Sequence, residues 1–227
     1  MKLDTEFEVK IQRTSRKKTV SLEIREGFVQ IIAPKTLSEK EIENIIIKKT
    51  KWIRNKLLIQ KSKTSYKSKE FVSGESFSYL GKNYPLKIVN SKKPCVEIKE
   101  DRIFVYKKMK GRSVRALLEN WYKQQGLKLF EKKTKKYQEI IGVKPSNIST
   151  RTYSRTWGSC SSKKDITFNW RILMAPHSVI DYVVVHELCH LIHHNHSPKY
   201  WRIVKSFYPN YKEKIEWLRY YSRTLVW

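Results

Sequence analysis

Residues 177–196, HSVIDYVVVHELCHLIHHNH, constrain this chain more than any other segment. Taken alone, Val183, Val184 and Val185 suggest a strand. The apolar residues at 179, 180, 183, 184, 188, 191 and 192 instead follow the helical period and leave a separate polar strip. Ser178 stands three before Asp181, the capping pattern that opens helices. The segment therefore reads as a buried helix that ends near Asn195.

The polar strip carries chemistry. His186 and His190 are four apart, so their imidazoles lie on one side of the helix, one turn apart, with Glu187 beside the first. Two neutral imidazole nitrogens in that arrangement can bind a tetrahedral metal at about 2.0–2.1 Å. The intervening carboxylate stays outside the metal's ligands, free to take a proton from water. This H-E-x-x-H pattern predicts a Zn2+ site in which Glu187 is the general base. A catalytic zinc needs a third protein ligand and an open fourth position. His196, just past the expected helix end, is the ligand expected; His193 and His194 compete with it. His193 lies three after His190 on the helix, but three ligands from one straight helix crowd one side, and His194 should point elsewhere. Cys189 turns about 100° from His190 and suits the core better than the metal. His177, at the helix start, reads as a surface residue.

The rest of the chain organises around this segment. Residues 6–33 alternate apolar and polar around a turn at Glu26 and Gly27. Ser38 and Glu41 form a capping box ahead of a helix of roughly twenty residues through Trp52 and Leu57. Residues 61–69, rich in Ser and Lys, read as a linker. Short strands follow over 71–106, then a helix over 111–141 ending at Gly142. Residues 148–170 read as two strands with a turn near Lys163 and Lys164, and helical segments broken at Pro198 and Pro209 close the chain. The domain reading is an N-terminal strand–helix subdomain over 1–70 and a catalytic domain over 71–227.

A net charge of +27 favours polyanions or acidic partners, although a well-spread basic surface can simply be solvated. No apolar run approaches a membrane span, and Met1, Lys2 and Leu3 lead straight into charged sequence, so no signal peptide is expected. Three scattered cysteines argue against a disulfide framework. The expectation is a cytoplasmic protein without membrane contact.

HELCHLIHHNHSPKYW, with the preceding YSRTWGSCSSKKDITFNWRILMAPHSVIDYVVV, closely resembles the YgjP-like metallopeptidase family, relatives of the SprT-like zinc proteins. The resemblance extends to RTSRKKTVSLEI, KWIRNKL and GESFSYLGKNYPLKIV. It implies His186, His190 and His196 as zinc ligands and Glu187 as catalytic acid/base. It also implies an α+β fold with a zincin-like core, in which the active-site helix lies beside a small antiparallel sheet. The spacing from His190 to His196 also matches metzincins, but those carry Gly where this chain has His193. Cys189 replaces the small residue usual in the family.

Upstream, Trp157, Ser159, Asn169 and Arg171 are candidate substrate-binding residues. A rim strand near Trp157 can pair with an extended peptide, Ser159 can donate to a substrate oxygen, and Asn169 or Arg171 can stabilise developing charge. Equally, Trp157 and Trp170 can be core, and Gly158 can merely permit a bulge. Peptide or protein is the substrate expected from the resemblance. Arg155, Lys163, Lys164 and Arg171 leave open a nucleotide phosphoanhydride hydrolase. Basic residues interleaved with Trp52, Tyr66, Trp121, Tyr122 and Tyr137 leave open nucleic-acid binding around a structural zinc.

Overall fold

A computed structural model describes residues 7–16, 18–25, 28–63, 68–225 and 227. The chain divides into two compact units, Met1–Lys67 and Ser68–Trp227.

In the first unit, β1 (Val9–Thr14), β2 (Ser21–Arg25) and β3 (Phe28–Pro34) form a sheet of order β1-β3-β2. β3 runs parallel to β1 and antiparallel to β2, with Arg25 opposite Phe28. The turn expected at Glu26 and Gly27 lies outside the described residues. Alternate residues of β3, Val29, Ile31 and Ala33, are buried together with Ile42, Ile46 and Ile53 of α1 (Glu39–Lys63). The capping box forms reciprocally: Glu41 N donates to Ser38 Oγ at 3.3 Å, and Ser38 N donates to the Glu41 carboxylate at 2.9 Å. At 25 residues, α1 is longer than expected and runs into the stretch read as linker. Lys, Gln and Ser carry no strong penalty in a helix, so polarity alone does not end one.

The second unit begins with β4 (Ser76–Tyr79), β5 (Lys82–Asn90), β6 (Cys95–Lys99) and β7 (Arg102–Lys107), in the order β4-β5-β7-β6. Leu80 and Gly81 both take positive φ between β4 and β5, the conformation of a tight two-residue hairpin. That turn docks against the segment that leads into the motif-bearing helix. Leu80 N donates to Leu173 O at 2.6 Å, and a Cβ on Gly81 would lie 2.9 Å from Pro176 Cα.

The long α2 (Val114–Ile141) is capped by Ser113, whose hydroxyl accepts from Ala116 N, and closes at Gly142 with φ 76°. Residues 148–170 hold one strand more than expected: β8 (Asn147–Arg151), β9 (Gly158–Cys160) and β10 (Asp165–Asn169). Their order is β8-β10-β9, with β9 antiparallel and β8 parallel to the central strand. The small sheet is thus mixed, because residues 152–157 carry the chain from one edge to the other. A 3-10 turn at Trp170–Met174 leads into α3 (His177–Cys189), followed by α4 (Pro198–Phe207) and α5 (Tyr211–Tyr221).

α2, α3 and β10 enclose the main core, where Phe130 stacks on Phe168 with ring centres 4.5 Å apart. Trp121, Tyr122 and Tyr137, weighed above as base-stacking residues, are buried in this core and offer no free ring faces. Trp52 is 40% exposed, and Tyr66 lies outside the described residues. No described helix is long and apolar enough to cross a membrane.

Candidate metal centre

α3 is apolar on almost every side, and Val179, Val183, Val184, Val185 and Leu188 are all buried. A helix with such a circumference is held by packing rather than by its caps. Ser178 does not cap it: the N-cap position is Pro176, with no side-chain capping bond. Asp181, expected in that capping pattern, pairs instead with Lys133 of α2 at 2.5 Å.

The helix also stops sooner than its pattern suggests. His190 N bonds to Glu187 O at 3.2 Å and Leu191 N to Leu188 O at 3.0 Å, so the last turn tightens to i→i−3 bonding. The chain then folds back and restarts as α4, with Ser197 as N-cap and Pro198 in its first turn. This reversal returns His196 to the helix it has just left.

Ligand nitrogens of His186, His190 and His196 all lie within 4.8 Å of one another, a group able to hold a metal ion. His186 Nε2 and His196 Nε2 are 3.1 Å apart, close to the roughly 3.4 Å between two tetrahedral ligands at 2.0–2.1 Å from one ion. His190 Nδ1 meets His193 O at 3.2 Å, which leaves Nε2 for the centre. His186 Nδ1 meets Tyr182 OH at 3.4 Å. α4 braces the group from its far side. The buried Tyr200 donates its hydroxyl to His186 O at 2.9 Å and stacks on His190, with ring centres 4.5 Å apart. Trp201 stacks on His196. Burial, then the neighbouring imidazoles, pushes His186 down to about 3, and burial also lowers His190. Both rings are therefore neutral at ordinary pH, as ligands must be.

Glu187 is 5% exposed, and burial pushes its carboxyl up to about 8. The space it fills comes from β9. A Cβ on Gly158 would lie 2.6 Å from Glu187 Oε1 and 2.7 Å from Cδ and Cγ. Gly158 thus does more than allow a bulge. Its missing side chain admits the carboxylate, a role that a single sequence cannot signal because it depends on β9 packing against α3.

The three histidines and Glu187 line a cavity of about 390 Å³, walled on the other side by residues 156–160. Trp157 and Ser159 both stand on this wall, and Ser159 Oγ lies 2.8 Å from Tyr153 OH. Asn169 does not line the cavity. Its amide donates at 3.0 Å to both Tyr153 O and Thr156 O and so fixes the loop that carries Trp157. Arg171 is placed away from the cavity, over the Trp170 ring, with Glu119 and Arg115 as its charged neighbours. Lys163 and Lys164 stand on the exposed β9–β10 turn and do not line it either.

The remaining histidines and cysteine separate clearly. His193 offers its carbonyl to His190, while its ring Nε2 lies 3.4 Å from Ser197 Oγ. His194, expected to point elsewhere, lines the cavity from an exposed position, because the early helix end changes its direction. His177 is exposed and Cys189 fully buried.

The family model of the YgjP-like metallopeptidase domain matches residues 18–221. No curated protein matches the chain. Among solved structures, the metallopeptidase zymogen abylysin of Pyrococcus abyssi is similar over 43% of this chain and 96% of its own, with 22% identity and a TM-score of 0.38. The family match spans both units and includes every residue of the histidine cluster. The chain belongs to the YgjP-like metallopeptidase domain family.

Proposed function

We propose that the protein is a zinc-dependent peptidase in which His186, His190 and His196 hold the metal and Glu187 moves the proton. The observation that carries this reading is the convergence of three imidazoles and one buried carboxyl on a single open cavity. An all-nitrogen donor set with room for a further ligand suits catalytic zinc. When bound there, zinc supplies a Lewis acid that acidifies water and polarises a carbonyl.

The chain's own groups supply the rest. Glu187 accepts a proton from the attacking water on a carboxylate oxygen and delivers it to the leaving amine nitrogen. Its raised proton affinity, a consequence of burial, suits both halves of that transfer. The His193 carbonyl and the Tyr182 hydroxyl orient the outer nitrogens of His190 and His186. β9 is an edge strand on the cavity wall, so an extended peptide can pair with it and lie across the site.

Zinc-loaded protein offered casein-type peptides and nucleoside triphosphates in parallel tests the reading. Cleavage of peptides alone supports it. Release of phosphate or pyrophosphate without any peptide cleavage refutes it.

A further inference from the structure

Beside the metal-site cavity lies a second one of about 550 Å³, and Thr156, Trp157, Tyr182 and Leu218 wall both. A substrate crossing the first therefore reaches the second within a residue or two. The character of the lining changes between them. The second cavity is rimmed by Arg155 from the β8–β9 connection, Arg219 from α5 and Arg223 just beyond it. Among the described residues, no acidic side chain lines it. Arg219 is paired with Glu216 one turn earlier on its own helix. Among the described residues, Arg155 and Arg223 have no acidic partner.

Two guanidinium groups without acidic partners on the lining of one hollow give it a positive potential that favours an anion. The planar fork of arginine matches a carboxylate with two parallel N–H···O bonds. The hydroxyl-bearing Tyr153, Ser154 and Ser222 on the same lining add neutral donors. The loop carrying Arg155 is not left to chance, since the buried Asn169 donates to the carbonyls of Tyr153 and Thr156 on either side of it.

We infer that this second cavity is a carboxylate-binding subsite that selects peptides bearing an acidic group close to the cleaved bond. The inference rests on the peptidase reading for its substrate class. The carboxylate comes from an Asp or Glu side chain or from the peptide's own C-terminus, and both sources present the same chemistry to Arg155 and Arg223.

The test measures binding, so that it stands apart from catalysis. Zinc-loaded Glu187→Gln protein is titrated with acetylated hexapeptides carrying one Glu or one Gln at each position in turn. Each is made with a free or an amidated C-terminus, and calorimetry reports binding. The expected result is about tenfold tighter binding for the carboxylate-bearing partner at one position, lost in Arg155→Gln/Arg223→Gln. A side-chain preference that survives amidation identifies an acidic residue; a preference abolished by amidation identifies the C-terminus. Equal binding of every Glu/Gln and acid/amide pair overturns the subsite, as does an unchanged preference in the double variant. Tighter binding of a nucleoside triphosphate than of any carboxylate peptide also overturns it. Hydrolysis by the native protein is scored separately: absence of peptide cleavage with the preference intact refutes the peptidase and leaves the subsite.

Discussion

Gly158 on β9 and Glu187 on α3 occupy one space: a Cβ on the glycine would stand 2.6 Å from the carboxylate oxygen. The strand's absent side chain is what lets the buried acid reach the cavity. Substituting Gly158→Ala should turn the Glu187 carboxylate aside while leaving the three imidazoles in place. Peptidase activity is expected to fall by about 100-fold or more, the scale of losing general-base catalysis. Metal content should stay at its native value, and stability should fall by only about 1–3 kcal/mol from overpacking. Kinetics, metal analysis and urea unfolding on the same preparation check all of these.

Lys133 and Asp181 tie α2 to the helix that bears the site, with side chains 14% and 21% exposed. Removing one partner strands the other in a largely desolvated place. Asp181→Ala is expected to lower unfolding free energy by about 2 kcal/mol, less than for a fully buried pair because water still reaches both groups. Chemical denaturation with an unchanged m-value would register it.

Tyr200 serves the site through its ring and its hydroxyl. Tyr200→Phe keeps the stacking on His190 and removes the bond to His186 O. A loss of about 1 kcal/mol is expected, the usual net value of such a bond. Tyr200→Leu also removes the ring and should weaken metal affinity by about 10-fold or more, as loss of an orienting partner does. Metal competition with a chromogenic chelator separates the two variants.

Metal removal should leave the fold intact, because the core around α3 is made of valine, leucine and aromatic side chains rather than imidazoles. With free zinc about 1,000-fold above its dissociation constant, binding adds about 4 kcal/mol. Far-UV circular dichroism should therefore be unchanged on chelation while Tm falls, and zinc should restore Tm.

The parts of the site legible in the sequence are those governed by local periodicity. His186, Glu187 and His190 fall on one helix, so their spacing alone sets their directions. His196 was expected for a related reason, lying just past a helix end, although the end falls earlier than the apolar pattern implies. Nothing at Cys189 or His190 marks the stop; it comes from a change to i→i−3 bonding and from α4 packing back on the histidines. The same change turns His194 onto the cavity. Tertiary partners were invisible: Asp181 reads locally as a capping residue, yet its ion pair is with Lys133, 48 residues away. Asn169 and Arg171 do not line the metal-site cavity: Asn169 holds the loop through Tyr153 and Thr156 and borders the second cavity, and Arg171 lies over the Trp170 ring. The Glu100–Asp101 turn, with both φ positive, lacks the glycine or asparagine that would announce it.

The most direct measurement compares native protein with Glu187→Gln for zinc content and for cleavage of casein-type peptides. About one zinc per chain is expected in both, with peptide cleavage reduced by about 1,000-fold in the variant. Cleavage at the native rate by Glu187→Gln, or a native protein that takes up no zinc, would contradict the zinc-peptidase reading.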